Sequence, residues 1–394
     1  MRQTKGILVY MEDAPVHRDV VAHGLHRAGP PILRSIRDHI DGILIYPVGR
    51  RFKICDLDQE LAPLCSILPR IPTLLCKALR RYSAFDFGMA DALPPLILSY
   101  GARKSPASIL FSFVGADVGA LMRAKRLASL LRKSYSLYIV DDFLSPLRIA
   151  GAKEDAVQKV ADKARTALRG AKHVFTITDG LGEYLREQFG ISSTTLNLAF
   201  EPERIASQPA KKQIIYVGSI NFLYTAGLRD LFQVVERIRQ TSGDDLTVRL
   251  TVPAAAAARE LEVLPPFVVS SPVDTSEGLA REIASSLLAF LPSSFDLREK
   301  VMVATSFPSK SMEYLAYARS IVVYGPDYGV ATRLFREKGL PSVVSSPSEL
   351  EDKVHSHLAS WPQNSSIYRS YLAEAHSLAA VRKTLCDNLG LEAC

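Results

Sequence analysis

The sequence predicts an α/β protein built from two doubly wound domains facing a cleft. Three observations point there. Short apolar runs of strand length alternate with longer amphipathic stretches through both halves, the pattern of parallel strands joined by helical crossovers. A length of 394 residues suits two or three domains. Residues 201–212 are polar, contain proline and show no period, as an interdomain linker would. The expected organisation is a first domain over 1–200, this linker, a second domain over 213–375 and a helical tail over 376–394.

Bulk properties narrow the function classes. Hydrophobic residues make up 47% of the chain and charged residues 23%, which excludes extended disorder. No run approaches the ~20 apolar residues of a membrane-spanning helix. The opening, MRQTKGILVYMEDAP, has too short an apolar run for a signal peptide and reads as a first strand from Gly6. The five cysteines (Cys55, Cys65, Cys76, Cys386, Cys394) are odd in number and lack CxxC spacing. That argues against a zinc site and a disulfide framework, and for a cytoplasmic, reducing setting. The net charge is +7. Residues 1–150 hold 21 Lys and Arg against 13 Asp and Glu, or +8, and the remainder holds 27 against 28, or −1. No basic–aromatic interleaving or nucleic-acid module accompanies this excess, so no nucleic-acid partner is expected. An anionic membrane face or a phosphate-bearing acceptor fits better, with peripheral contact through the basic first domain.

In order, Gly6–Tyr10 is the first strand and His17–Arg27 a helix ending at Gly29-Pro30. The loop between them lies where open α/β sheets bind ligands, so Asp13 and His17 are pocket candidates for an acceptor. A helix cap or solvated surface groups would be the plainer reading of both. Asp41–Val48 is a second strand. The segment LAPLCSILPRIPTLLCKALRRY is apolar, broken by proline and edged by Arg70, Lys77, Arg80 and Arg81. It is compatible with a lipid-surface face and equally with two short buried helices. Ser108–Phe113 is a strand, 115–132 a helix, and Leu137–Val140 a strand ending in Asp141-Asp142. Adjacent carboxylates need solvent, hydrogen bonds or a counter-charge. Asp141 is a candidate pocket residue, while Asp142 either lines the pocket or caps the next turn. A metal-binding reading of the pair also exists. Ala161–Gly170 is helical, Val174–Thr178 a strand and Gly182–Phe189 a helix.

The second half opens with the strand Gln213–Val217 and Gly218, where a glycine lets the backbone come close to a ligand. Leu246–Val252, Phe267–Ser270 and Leu287–Leu291 are further strands. The most informative stretch is TSFPSKSMEYLAYARSIVVYGPDYGVA, residues 305–331. Pro308 suits a first helical turn. Ser309, Lys310 and Ser311 then stand at a helix N-terminus, whose free N–H groups and positive dipole end suit a phosphate. Lys310 adds a full charge there. Glu313, three residues on, lies on nearly the same face and can accept from paired sugar hydroxyls. The competing reading is a capped helix with a solvated Lys310–Glu313 pair. The strand Ser320–Tyr324, the turn Gly325-Pro326, the strand Ser342–Val344, a helix over Leu350–Leu358 and a helical tail over Ile367–Leu389 complete the chain.

The pattern PSK-x-x-EYLA followed by a strand and Gly-Pro resembles the nucleotide-binding motif of GT-B glycosyltransferases, close to glycosyltransferase family four (group 1). AKHVFTITDGLGEYLREQFG resembles the last strand–helix unit of that fold's N-terminal domain. IIYVGSINFLYTAGLRDLFQVVERI is similar to the first strand–loop–helix of its C-terminal domain. The resemblance implies two Rossmann-like domains and a C-terminal helix that crosses back to the first. It implies a metal-independent transferase with no cofactor beyond its co-substrate. A nucleoside diphosphate sugar would give its sugar to a glycan, glycolipid or other hydroxyl acceptor, in bacterial surface polysaccharide or glycoconjugate synthesis at the inner membrane face. Carried over, Lys310 meets the diphosphate with Gly218, Ser219, Ser309 and Ser311 around it. Glu313 meets the ribose, and Pro253 and Val273 border the base. Asp141 stands about where the family has a pocket histidine, which makes it the second catalytic candidate beside Lys310. The chain departs from the family at Thr305, where a first glutamate is usual, and at Ser219 and about Ala226, where an arginine and a lysine are usual. A nucleotide-sugar epimerase and a non-catalytic binding protein of the same architecture are the alternatives.

Overall fold

The computed structural model describes residues 6–11, 25–45, 61–67, 105–361 and 364–391. These divide into two compact units. The first comprises the described residues up to Ala199 together with Leu378 onward, and the second runs from Phe200 to Ser377.

The first unit is built on one all-parallel sheet. Its strands are β1 (Ile7–Met11), β2 (Ile40–Ile45), β3 (Cys65–Ile67), β4 (Ile109–Val114), β5 (Ser134–Ile139), β6 (His173–Thr176) and β7 (Thr194–Thr195). They lie in the order β3-β2-β1-β4-β5-β6-β7. Every residue of β1 and β4 is buried, because helices cover both faces of such a sheet and leave no polar side. This explains why these strands read as unbroken apolar runs rather than alternating ones. Phe111 meets Phe113 and Phe175 edge to face, with centroids 5.3 and 6.0 Å apart.

Two local expectations shift, and a third gains detail. The helix Leu25–Ser35 runs through Gly29, Pro30 and Pro31 instead of stopping there. Each proline forfeits one backbone hydrogen bond, but proline's fixed φ is helical, and Ile32, Leu33 and Ile36 are fully buried beyond it. The start of the apolar segment after residue 60 is neither a surface helix nor a buried one. It is a single 3-10 turn and the strand β3, paired in parallel with β2. The tail is two helices, Ser365–His376 and Leu378–Leu389, broken where Ser377 turns extended. The chain changes units at that break. The last helix packs on the first unit, where Arg382 donates to the Ser35 carbonyl at 2.8 Å and Thr194 to Asn388 at 3.2 Å. The C-terminal helix therefore does cross back.

The second unit repeats the design with β8 (Lys211–Tyr216), β9 (Thr247–Leu250), β10 (Val268–Ser270), β11 (Ser286–Pro292), β12 (Ile321–Tyr324) and β13 (Val343–Val344). All pairings are parallel, in the order β10-β9-β8-β11-β12-β13. Successive strands step outward from β8 to β10, and the chain then returns to add β11 on the other side. Strand order reverses between β8 and β11, and crevices form at such a point, outside the carboxyl ends of the strands. Ile214, Leu228, Leu231, Val235, Leu288, Phe290 and Val322 fill the core beneath it.

Near the end of this unit a buried histidine joins the helix Pro347–Ser360 to the sheet. His357 Nδ1 lies 2.7 Å from the Lys353 carbonyl, so it carries the proton. Its Nε2, 2.6 Å from Ser320 Oγ, then accepts from that hydroxyl. Burial holds the imidazole below its ordinary value. The unfolded chain thus binds the proton first as pH falls below about 6.5, and the stability supplied by neutral His357 is lost from there down to the lower folded-state value. The slope is at most about 1.4 kcal/mol per pH unit. Urea midpoints at pH 7.5 and 5.5 should fall further for the wild type than for His357→Gln; equal falls would assign the acid sensitivity elsewhere.

Candidate functional site

The carboxyl end of β8 gathers most of the second-unit residues singled out in the sequence. β8 ends at Tyr216, and Gly218 follows with φ +93°, a backbone conformation open to glycine but strained for L side chains. A Cβ there would come 4.0 Å from Lys310 Cδ and meet nothing nearer. Gly218 and Lys310, 92 positions apart in the chain, are therefore direct neighbours. The Gly218 N–H donates to Thr251 Oγ1, just past β9, at 3.3 Å.

Lys310 is only 5% exposed, which removes the solvated-pair reading. Its ammonium lies 3.8 Å from the centroid of the Tyr216 ring and 3.7 Å from that of Tyr224. Taking an ammonium out of water costs several kcal/mol, and each ring face returns up to about 2 kcal/mol when desolvated. The rings thus offset a substantial part of that cost. The Tyr216 hydroxyl donates to the Ser219 carbonyl at 2.7 Å, which fixes the loop after β8. Burial, with Tyr224 and Tyr314 beside it, pushes the Tyr216 phenol well above its ordinary value, so it stays neutral.

The helix of the PSK motif begins at Ser311 and ends at Tyr317. Pro308 is not in its first turn, as expected, but precedes it: its carbonyl accepts from the Ser311 N–H at 2.8 Å. Lys310 is the residue before the helix, with helical φ of −59°. Ser309 and Glu313 are half-buried, and Ser311 is buried with its Oγ lacking a hydrogen-bond partner among the described residues. Tyr314 anchors the motif. Its hydroxyl accepts from the Val217 N–H at 2.7 Å and donates to the Phe290 carbonyl at 3.3 Å, clamping the helix across β8 and β11 where strand order reverses. Thr305 is buried and spends its hydroxyl on the Val301 carbonyl at 2.8 Å.

The other candidates sit less centrally. Pro253 is exposed just past β9 and caps the helix Ala254–Leu261, its carbonyl accepting from Ala256 and Ala257. Val273, half-buried, follows β10, and its Cγ1 lies 3.2 Å from where a Cβ on Gly278 would stand. In the first unit, Asp141 is half-buried past β5, and its charge, after burial itself, helps push the Tyr138 phenol upward. Asp142 is 2% exposed and accepts from the Leu144 and Ser145 N–H groups, both at 2.9 Å. Both oxygens are engaged by backbone N–H groups of the turn that leads into the helix Ser145–Ile149, which favours the turn role over the acceptor contact among the two readings of Asp142. Asp13 and His17 lie outside the described residues. Among the described residues, no group of three or more metal-binding side chains comes together.

Sequence reasoning missed Tyr216, Tyr224, Tyr314 and Thr251. Tyr314 stood within the quoted motif, beside Glu313. Tyr224 stood one turn past Asn221, the cap of the helix Phe222–Ser242. Nothing in the local pattern distinguishes either ring from core packing.

No protein-family model and no curated protein sequence matches the chain. Solved structures do. The sucrose-phosphate synthase of Thermosynechococcus elongatus matches with a TM-score of 0.63 at 12% identity, over 98% of both chains. The lipopolysaccharide outer core galactosyltransferase WaaB matches with 0.59 at 13% identity, over 98% of this chain and 99% of its own. A Listeria monocytogenes protein described as a UDP-N-acetylglucosamine 2-epimerase matches with 0.55 at 10% identity, over 98% of both chains. Likeness at this identity shows the fold, which is the GT-B architecture of paired parallel α/β units.

Because Gly218 has open space for a methyl group, Gly218→Ala isolates the cost of its backbone conformation. A left-handed alanine costs roughly 1–2 kcal/mol, which in a unit of this size lowers Tm by about 2–8 °C. Thermal unfolding followed by circular dichroism checks this, and an unchanged Tm would show that the loop relaxes freely.

Proposed function

We propose that the chain is a glycosyltransferase that moves a sugar from a nucleoside diphosphate sugar to a hydroxyl acceptor. The observation that carries this reading is the burial of the Lys310 ammonium beside Gly218, at the carboxyl end of β8. An anion-sized diphosphate fits the chemistry of that corner: a fixed cation, a glycine loop that lets a backbone come close, and hydroxyls of Ser309 and Ser311 on the approach to a helix. The GT-B fold it shares with a sucrose-phosphate synthase and a galactosyltransferase supports the same reading.

In this mechanism the acceptor oxygen attacks the anomeric carbon and the bond from that carbon to the diphosphate breaks. Negative charge grows on the departing diphosphate, and Lys310 with the N–H groups near Gly218 stabilises it without a metal ion. Glu313 binds the ribose hydroxyls, and Pro253 and Val273 border the base. Asp141 serves the acceptor side. In an inverting reaction it takes the acceptor proton, and in a retaining one it positions the sugar. The acceptor is a glycan or a lipid-linked glycan of a bacterial surface polymer. The positive excess of residues 1–150 would hold the protein against an anionic inner membrane face.

Lys310→Ala should raise the barrier by about 2–4 kcal/mol, a fall of roughly 30- to 1,000-fold in turnover. Initial rates with a panel of nucleoside diphosphate sugars measure it, and a near wild-type rate contradicts the assignment. The shared fold of the Listeria protein keeps an epimerase as the second reading. Product analysis without acceptor separates them, since only an epimerase converts the donor by itself.

A further inference from the structure

We infer that Tyr216 and Tyr224 are positioning residues that hold Lys310 between their ring faces and so preform the diphosphate site; this rests on the function proposed above. A lysine has four rotatable bonds, and in an open loop its ammonium samples many places. Here one position is selected. The Tyr216 and Tyr224 centroids are 6.0 Å apart with planes tilted by 57°, and the ammonium lies under 4 Å from both, at 3.8 and 3.7 Å. Ring faces carry negative potential, so the contact favours the charged form and is directional.

The cage is itself tied to the sheet. Tyr216 is the last residue of β8, fully buried, and its hydroxyl is fixed on the Ser219 carbonyl. Tyr224 stands in the first turn of the helix Phe222–Ser242, whose start is set by Asn221 accepting from the Leu223 N–H at 3.0 Å. Strand end and helix start bracket the Gly218 loop, so the same two elements that shape the loop also aim the cation.

Tyr224 is the ring to change, since it is half-buried whereas Tyr216 is core. The experiment uses the full chain labelled with 13C at lysine Cε, with the Lys310 signal assigned through Lys310→Met, and titration with inorganic pyrophosphate. The wild type should show a ring-current upfield shift for Lys310, kept in Tyr224→Phe and reduced by about half in Tyr224→Leu, where the Tyr216 ring remains. Pyrophosphate affinity should fall by about tenfold in Tyr224→Leu and stay within about threefold in Tyr224→Phe, as expected for losing or keeping one cation–π contact. If Tyr224→Leu fails to fold by thermal melt, Tyr224→Met, whose unbranched flexible chain adapts to the space the ring leaves, takes its place. An unshifted Lys310 signal, or one indifferent to residue 224, overturns the cage whatever binds. A shift that behaves as expected while affinity is unchanged by Tyr224→Leu and lost in Lys310→Met overturns positioning and leaves the functional reading standing. No pyrophosphate binding by the wild type overturns both.

Discussion

A charge kept out of water at the end of a central strand is the constraint on which the second unit depends. Hydration of an ammonium is worth more than any one contact that replaces it, so Lys310 is buried only because several elements converge on it. β8 supplies one ring, the following helix supplies the other, and the PSK motif supplies the lysine. Tyr314 holds the motif at the right height by bridging the Val217 N–H and the Phe290 carbonyl. Removing any one of these elements would leave a desolvated cation without its surroundings. The sheet topology makes the convergence possible, because strand order reverses between the central strands β8 and β11, the point at which sheets of this kind form crevices.

The same architecture carries more than one chemistry. Enzymes with different acceptors, and a protein described as an epimerase, share these two parallel sheets at 10–13% identity. In such folds the chemistry is set by the side chains at the strand ends, not by the sheets. Asp141 and Asp142 show how differently neighbours can be used. They are adjacent in sequence and identical in chemistry, yet Asp142 gives both oxygens to backbone N–H groups and Asp141 remains partly accessible.

The fold was legible because parallel strands buried on both faces are written as apolar runs, and runs such as ILVYM, ILFSFV and SLLAFLP are long enough to stand out. What failed locally failed for a reason. Pro30 and Pro31 signal a helix end by their own chemistry, and burial of their neighbours overrides it. The short edge strands β3 and β7 carry too few residues for a period to register. The largely helical tail was legible, and its break was not, because a single extended residue, Ser377, leaves the surrounding pattern intact.

Sequence alone determined the α/β class, the parallel strands, the glycine after β8 and the lysine of the PSK motif, because each is a short-range property of residue type and spacing. Tertiary structure decided that Gly218 and Lys310 lie side by side, that two tyrosines from separate elements flank the ammonium, and that Asp142 accepts from two backbone N–H groups. Those outcomes depend on which strands become neighbours and on how much water is excluded where they meet. Neither quantity is carried by any local stretch of the chain.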